Sequence, residues 1–218
     1  MGELRAGLWH WQAPHPDWTP GERWPQEVSS CAVDDGECLL LFDPLAVPEG
    51  LLALARERAP VIVLTAPWHE RDARALVEQL DAALFTPPPD TAQDLIDKYA
   101  ITAEQAGDGS PDLAWLHGGG ATARWYAEGD QLPFGIEACA GREHNDLVLW
   151  IERVRTLIVG DSLVDFGTGL ALNERLRGGV TREQLLERLQ PLLALPVEFV
   201  LPAHGPPTDR AALERALA

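Results

Sequence analysis

The chain has 218 residues, 46% of them apolar, and 34 acidic against 17 basic side chains give it a formal charge of −17. So negative a surface repels phosphate backbones and anionic headgroups, which excludes nucleic-acid and membrane-surface roles and leaves a small molecule as the expected partner. The longest strongly apolar runs, such as Val61 to Leu64, fall far short of the ~20 residues of a membrane helix, and Glu3, Arg5, His10 and His15 interrupt any leader-like apolar stretch at the N-terminus.

In chain order, Leu4 to Gln12 reads as a first strand, with Trp9 and Trp11 on one face and Leu8 and His10 on the other. A Pro- and Trp-rich loop follows over Ala13 to Pro25. Val28 to Val33 and Cys38 to Phe42 read as two strands turned around Asp34, Asp35 and Gly36, and Asp43-Pro44 stops the second. Leu51 to Arg58 is a short helix. Val61 to Thr65 is a continuous apolar, β-branched run, the pattern of a strand buried on both faces. After the loop Ala66 to Arg71 the period changes, and Ala73, Leu76, Val77 and Leu80 fall on one face of a helix.

Pro87-Pro88-Pro89 breaks the next stretch, Thr91 to Ala100 forms a short helix, and Gly118-Gly119-Gly120 makes a flexible turn. Strands return at Ala121 to Tyr126, Ile136 to Ala140, Leu147 to Ile151 and Thr156 to Val159. Thr181 and Gln184 form a capping-box pattern before a helix carrying Leu185, Leu186, Leu189 and Leu193. Glu198 to Leu201 is a last strand, and Thr208 is placed to cap the C-terminal helix. The order fits an α/β chain with sheets inside and helices outside, one domain over residues 1–218. Cys31, Cys38 and Cys139 form no Cys-x-x-Cys pair; an odd, sparse set argues against a disulfide framework and for the reducing cytoplasm.

Three strand ends carry polar residues that core packing does not explain. They are His69, Glu70 and Asp72 after Val61 to Thr65; Gly160-Asp161 after Leu157 to Val159; and Ala203-His204-Gly205 after Phe199 to Leu201. Sites in α/β folds gather where strands end. Imidazole and carboxylate donors from separate strand ends are what a zinc, iron or manganese site requires. Each residue also has a plainer role: Asp72 suits a first helical turn, Asp161 a tight turn, His204 a loop.

The same residues carry a family resemblance. Leu157-Ile158-Val159-Gly160-Asp161 resembles the segment that delivers the metal-bridging aspartate in the metallo-β-lactamase superfamily. Leu201-Pro202-Ala203-His204-Gly205 is similar to that family's final Pro-Gly-His-Gly loop, and Leu41-Phe42-Asp43-Pro44 to its early strand ending in Asp. Val61 to Thr65 and its loop sit where the family has His-x-His-x-Asp-His, and Gly141 to Trp150 where it has a Gly-His segment before a strand. The resemblance covers nearly the whole chain in the correct order. It implies a four-layer αβ/βα sandwich and a metal-dependent hydrolase.

The departures fall on the metal ligands. Anchored on Asp72, the histidine motif reads Trp68-His69-Glu70-Arg71-Asp72-Ala73, and the middle histidine position reads Arg142, with His144 two residues on. Asp72, Asp161 and His204 match the family pattern. His69, Glu70 and His144 are near-matches. The resemblance therefore implies one zinc or other divalent transition metal on Asp72, Asp161, His204 and His69, with Asp72 and His69 as catalytic groups. Glu70, Arg142, His144, Trp68 and His15 then stand around the metal or the substrate, His15 within a Trp-rich loop placed to cover the site. The expected activity is hydrolysis of a small ester, thioester or amide.

Two other readings stay open. In a non-catalytic relative, Arg142, Asp72 and Asp161 form a salt-bridged cluster with no metal. In a metal-free enzyme, Asp72, His69 and Arg142 act as acid–base groups. Eight Trp residues are compatible with homo-oligomerisation and do not establish it.

Overall fold

The computed structural model describes residues 1–110, 115–116 and 123–218. At its N-terminus, β1 (Gly2–Arg5) and β2 (Leu8–Pro14) pair as an antiparallel hairpin, where the sequence pattern predicts one strand over Leu4 to Gln12. Gly7 makes the difference: its φ of 77° reverses the chain at a position that disfavours a Cβ. Alternation along β2 then sorts its side chains between two cores. Leu8 enters one with Val33 and Phe42, and Trp11 enters another with Leu39 and Leu41, Trp9 packing against it.

The chain continues through β3 (Glu27–Asp34), β4 (Cys38–Phe42), α1 (Glu49–Glu57), β5 (Ala59–Val63), α2 (Ala73–Leu80) and β6 (Ala83–Thr86). Next come α3 (Ala92–Tyr99), α4 (Ala103–Ala106) and β7 (Arg124–Trp125). Among the described residues β1 to β7 form one sheet in sequence order, antiparallel as far as β4 and parallel from there. β6 and the single-turn α4 have no counterpart in the sequence reading, because four residues show no period. The expected Gly118–Gly120 turn and the start of the strand predicted from Ala121 lie outside the described residues.

The second half holds β8 (Gln131–Leu132), β9 (Ile136–Glu143), β10 (Asp146–Ile151), β11 (Thr156–Ile158), β12 (Leu163–Val164) and β13 (Ala171–Leu172). It closes with α5 (Arg182–Leu189), β14 (Phe199–Leu201), β15 (Thr208–Asp209) and α6 (Arg210–Ala216). A second sheet runs in the order β15-β14-β11-β10-β9-β8, and β12 and β13 make a separate ribbon. Thr181 caps α5 as predicted, accepting from the Gln184 N–H. The C-terminal helix is capped by Asp209, one residue beyond the predicted Thr208, which instead pairs with Val200 in β15.

Three cores define the layers. Leu40, Phe42 and Val63 of the first sheet meet Leu149, Ile158 and Leu201 of the second. Leu51, Ala55 and Leu76 of α1 and α2 cover the outer face of the first sheet, and Leu185, Leu189 and Leu213 of α5 and α6 cover the second. The result is the four-layer αβ/βα sandwich expected from the order of elements. No helix among the described residues is long and apolar enough to cross a membrane.

Candidate metal centre

The ends of β4, β5, β11 and β14 converge, and each delivers a polar side chain. After β5, Thr65 leads into a short 3₁₀ turn, Pro67–His69, that swings the His69 ring inward until it is 5% exposed. After β11 the chain turns at Gly160, φ 50°, where a Cβ would lie 2.8 Å from Asp146 Oδ1 and 3.0 Å from Thr65 Oγ1. That close passage places Asp161 beside His69. After β14 the Ala203 N–H donates to Gly160 O at 3.1 Å, which holds the His204 loop against the Asp161 turn.

His69 Nε2 lies 3.5 Å and His204 Nε2 3.4 Å from Asp161 Oδ1, and the three ligand atoms are all within 4.8 Å of one another. Asp161 Oδ1 is buried and accepts no well-formed hydrogen bond. Donors about 2.1 Å from a tetrahedral metal stand about 3.4 Å apart, so this spacing and donor chemistry fit one divalent transition metal ion. The other carboxylate oxygen is differently placed: Trp68 Nε1 donates to Asp161 Oδ2 at 3.2 Å, and the Arg142 guanidinium lies 3.7 Å from it.

Behind His69 stands Asp43, at the end of β4. Its Oδ2 is 3.1 Å from His69 Nδ1, and it accepts from the Thr65 N–H at 2.8 Å and from Thr65 Oγ1 at 2.6 Å. A carboxylate on Nδ1 fixes the tautomer and aims a lone pair from Nε2. Burial disfavours the imidazolium here, yet Asp43 and Asp161 outweigh it and push the His69 pKa up to about 9. Asp161 is held well below the usual carboxylate range: burial opposes the charge, and His69 and His204 overcome it.

Arg142 is buried in β9, with Nε 3.0 Å from Asp146 Oδ2 and a terminal nitrogen 3.5 Å from Glu143. Glu143 and Asp90 in turn share the Lys98 ammonium at 2.6 Å each. Above the cluster lies a cleft of about 370 Å³. The Trp24 and Phe166 rings stand edge-on to His204, with centroids 5.2 and 5.8 Å away.

Solved structures of known proteins match the chain over nearly its whole length. TTHA1623 in a di-iron-bound form is 27% identical, with a TM-score of 0.57 over 91% of this chain and 98% of that one. TTHA1429 from Thermus thermophilus, a metallo-beta-lactamase family protein, is 17% identical at a TM-score of 0.60, over 98% and 78% of the two chains. ST1585 from Sulfolobus tokodaii, an archaeal metallo-beta-lactamase superfamily protein, is 15% identical at 0.64, over 97% and 84%. The chain has the metallo-β-lactamase fold. No protein-family model matches the sequence, and no curated protein matches it.

Within this metallo-β-lactamase fold, the structure brings together His69, Asp161 and His204 of the expected metal residues and leaves out Asp72. Asp72 stands at the start of α2, and its Oδ2 accepts from the Ala46 N–H at 2.6 Å. Its predicted roles as ligand and catalytic group are corrected: the 3₁₀ turn rotates His69 toward the strand ends, and the next turn directs Asp72 to the β4–α1 loop. Glu70 also faces away, bonded to Trp115 Nε1. His144 is half exposed, 4.0 Å from Asp94, and does not approach the cluster. Trp68 and Arg142 are in it, and His15 lines the cleft, its ring 5.4 Å from that of Trp24. The sequence matched Asp43 to the family's early strand ending in Asp but gave it no part in the site, where it stands behind His69. Thr65, Asp146 and Lys98 had no signal in the sequence.

Proposed function

We propose that this chain is a metal-dependent hydrolase of a small ester, thioester or amide, working with a single divalent transition metal ion. The observation that carries the reading is the convergence of His69 Nε2, His204 Nε2 and an unbonded Asp161 Oδ1 at the spacing of ligands on one ion. His69, Asp161 and His204 would hold the ion, which would supply a Lewis acid for an acyl carbonyl and for water. The chain's own groups orient it: Asp43 fixes His69, while Trp68 and Arg142 occupy Asp161 Oδ2 and leave Oδ1 for the ion. The same arrangement argues for one ion. A guanidinium 3.7 Å from that oxygen repels a second dication and stands in for its charge. Two imidazoles and a carboxylate suit zinc or iron; the di-iron form of TTHA1623 keeps iron among the candidates.

Elemental analysis of the purified chain tests the reading. About one transition-metal ion per chain is expected, lost on chelation and in His69→Ala and His204→Ala. Protein that carries none, and binds none at micromolar metal, would overturn it.

One observation favours a non-catalytic relative: Arg142 already pairs with Asp146 and Asp161, a buried charge cluster that can stand without metal. Asp72, assigned to that cluster by the sequence, is not in it. Under that reading chelators change neither stability nor any activity.

A further inference from the structure

The cleft above the three ligand residues is lined by four arginines, in a chain whose 17 basic residues are outnumbered two to one by acids. Two of the four are already engaged. Arg71 donates to the carbonyls of Ser29 and Asp43 at 2.6 and 2.7 Å, and Arg142 is ringed by Asp146, Glu143 and Asp161. The other two, Arg175 and Arg177, sit on the segment between β13 and α5. Arg177 lies 4.6 Å over the Tyr99 ring and donates to its hydroxyl, a neutral partner that orients the guanidinium and leaves its charge uncompensated. Among the described residues no carboxylate stands within 4.0 Å of either guanidinium; the adjacent Glu174 instead pairs with Arg182 at 3.9 Å.

We infer that Arg175 and Arg177 form an anion-binding subsite, so that the substrate of the proposed hydrolase is a small molecule with a carboxylate or phosphate. The two guanidiniums share the cleft wall with the ligand cluster, which lets an anionic end dock there while the scissile group lies beside His69, Asp161 and His204. Trp24 and Phe166, against His204, give an apolar surface for the rest of the molecule. A cleft of about 370 Å³ is large enough for a metabolite-sized ligand. The net charge of −17 repels anions at long range, so the two uncompensated guanidiniums act locally, within the cleft.

This inference rests on the hydrolase reading only for the identity of the ligand as substrate; binding can be measured without catalysis. The full chain, as purified and after chelation, is titrated calorimetrically with inorganic phosphate and with succinate, alongside Arg175→Gln and the double variant Arg175→Gln/Arg177→Gln. Both preparations of the wild type are expected to bind at least one of the two anions, which identifies the head group. Binding weakens about tenfold or more in the double variant, and less in Arg175→Gln, an unpaired side chain whose loss leaves the melting temperature unchanged. Wild-type binding that disappears on chelation, with the arginine variants unaffected beforehand, would place the anion on the metal and overturn the subsite while supporting the metal centre. No binding of either anion in either preparation also overturns it, whatever the metal content.

Discussion

His69 and Asp43, 26 residues apart in the chain, meet with Nδ1 and Oδ2 3.1 Å apart at the base of the metal centre. Asp43 is 2% exposed and holds its charge through the imidazole and the Thr65 hydroxyl and amide. Burial alone would raise its pKa; His69, Arg71 and Thr65 together bring it below the ordinary carboxylate value. Asp43→Asn keeps the shape and removes the charge that fixes the His69 tautomer. Metal affinity is expected to fall roughly 10- to 100-fold, read by competition with a chromophoric chelator.

Asp72→Asn gives the contrasting result. The carboxylate that caps the Ala46 amide is not grouped with the three ligand atoms, so metal stoichiometry and affinity are expected to stay at wild-type values. Stability drops by about 1 kcal/mol in urea unfolding, the worth of a charge-assisted bond at a helix start. A metal-free Asp72→Asn protein would return this residue to the ligand set.

Gly141 is predicted to be intolerant of any side chain. A Cβ there would lie 1.8 Å from the Asp146 carbonyl oxygen and 2.8 Å from Ser162 Oγ, where the β9–β10 ladder shifts register. Gly141→Ala must push apart the strands that carry Arg142 and Asp146. A loss of about 3 kcal/mol is expected, which for a chain of this size lowers the melting temperature by roughly 6–12 °C.

His10 makes a contribution of its own to the pH dependence. It faces the inter-sheet region, its Nε2 has no hydrogen-bond partner, and burial, helped by the N-terminal charge, lowers its pKa to about 4. The unfolded chain takes up this proton near pH 6.5 and the folded chain only near 4, so the stability that His10 governs is lost as pH falls from 6.5 toward 4. His10→Gln, which has no such proton, should show a shallower loss. Urea unfolding of both proteins at about pH 7 and about pH 4.5 measures the difference; parallel slopes would contradict the assignment.

Much of the architecture was legible in the chain because it rests on local periodicity. Val61 to Thr65 reads as a buried strand, and Ala73, Leu76, Val77 and Leu80 as one helical face, from side-chain alternation alone. The order of elements, with Asp161 and His204 closing two strands, is likewise a property of the sequence, as are the negative charge and the replacement of motif histidines by Trp68 and Arg142. The pattern could not say which way a side chain turns after a strand ends. Pro67–His69 winds as a 3₁₀ turn, so His69 enters the cluster and Asp72, three residues later, leaves it. Nor does it show partners that meet only in three dimensions: Asp43 with His69 across 26 residues, and Trp68 with Asp161 across 93. The first contact follows from the parallel pairing of β4 with β5 and the second from packing one sheet on the other, and together they decide which atoms of this chain can face a metal ion.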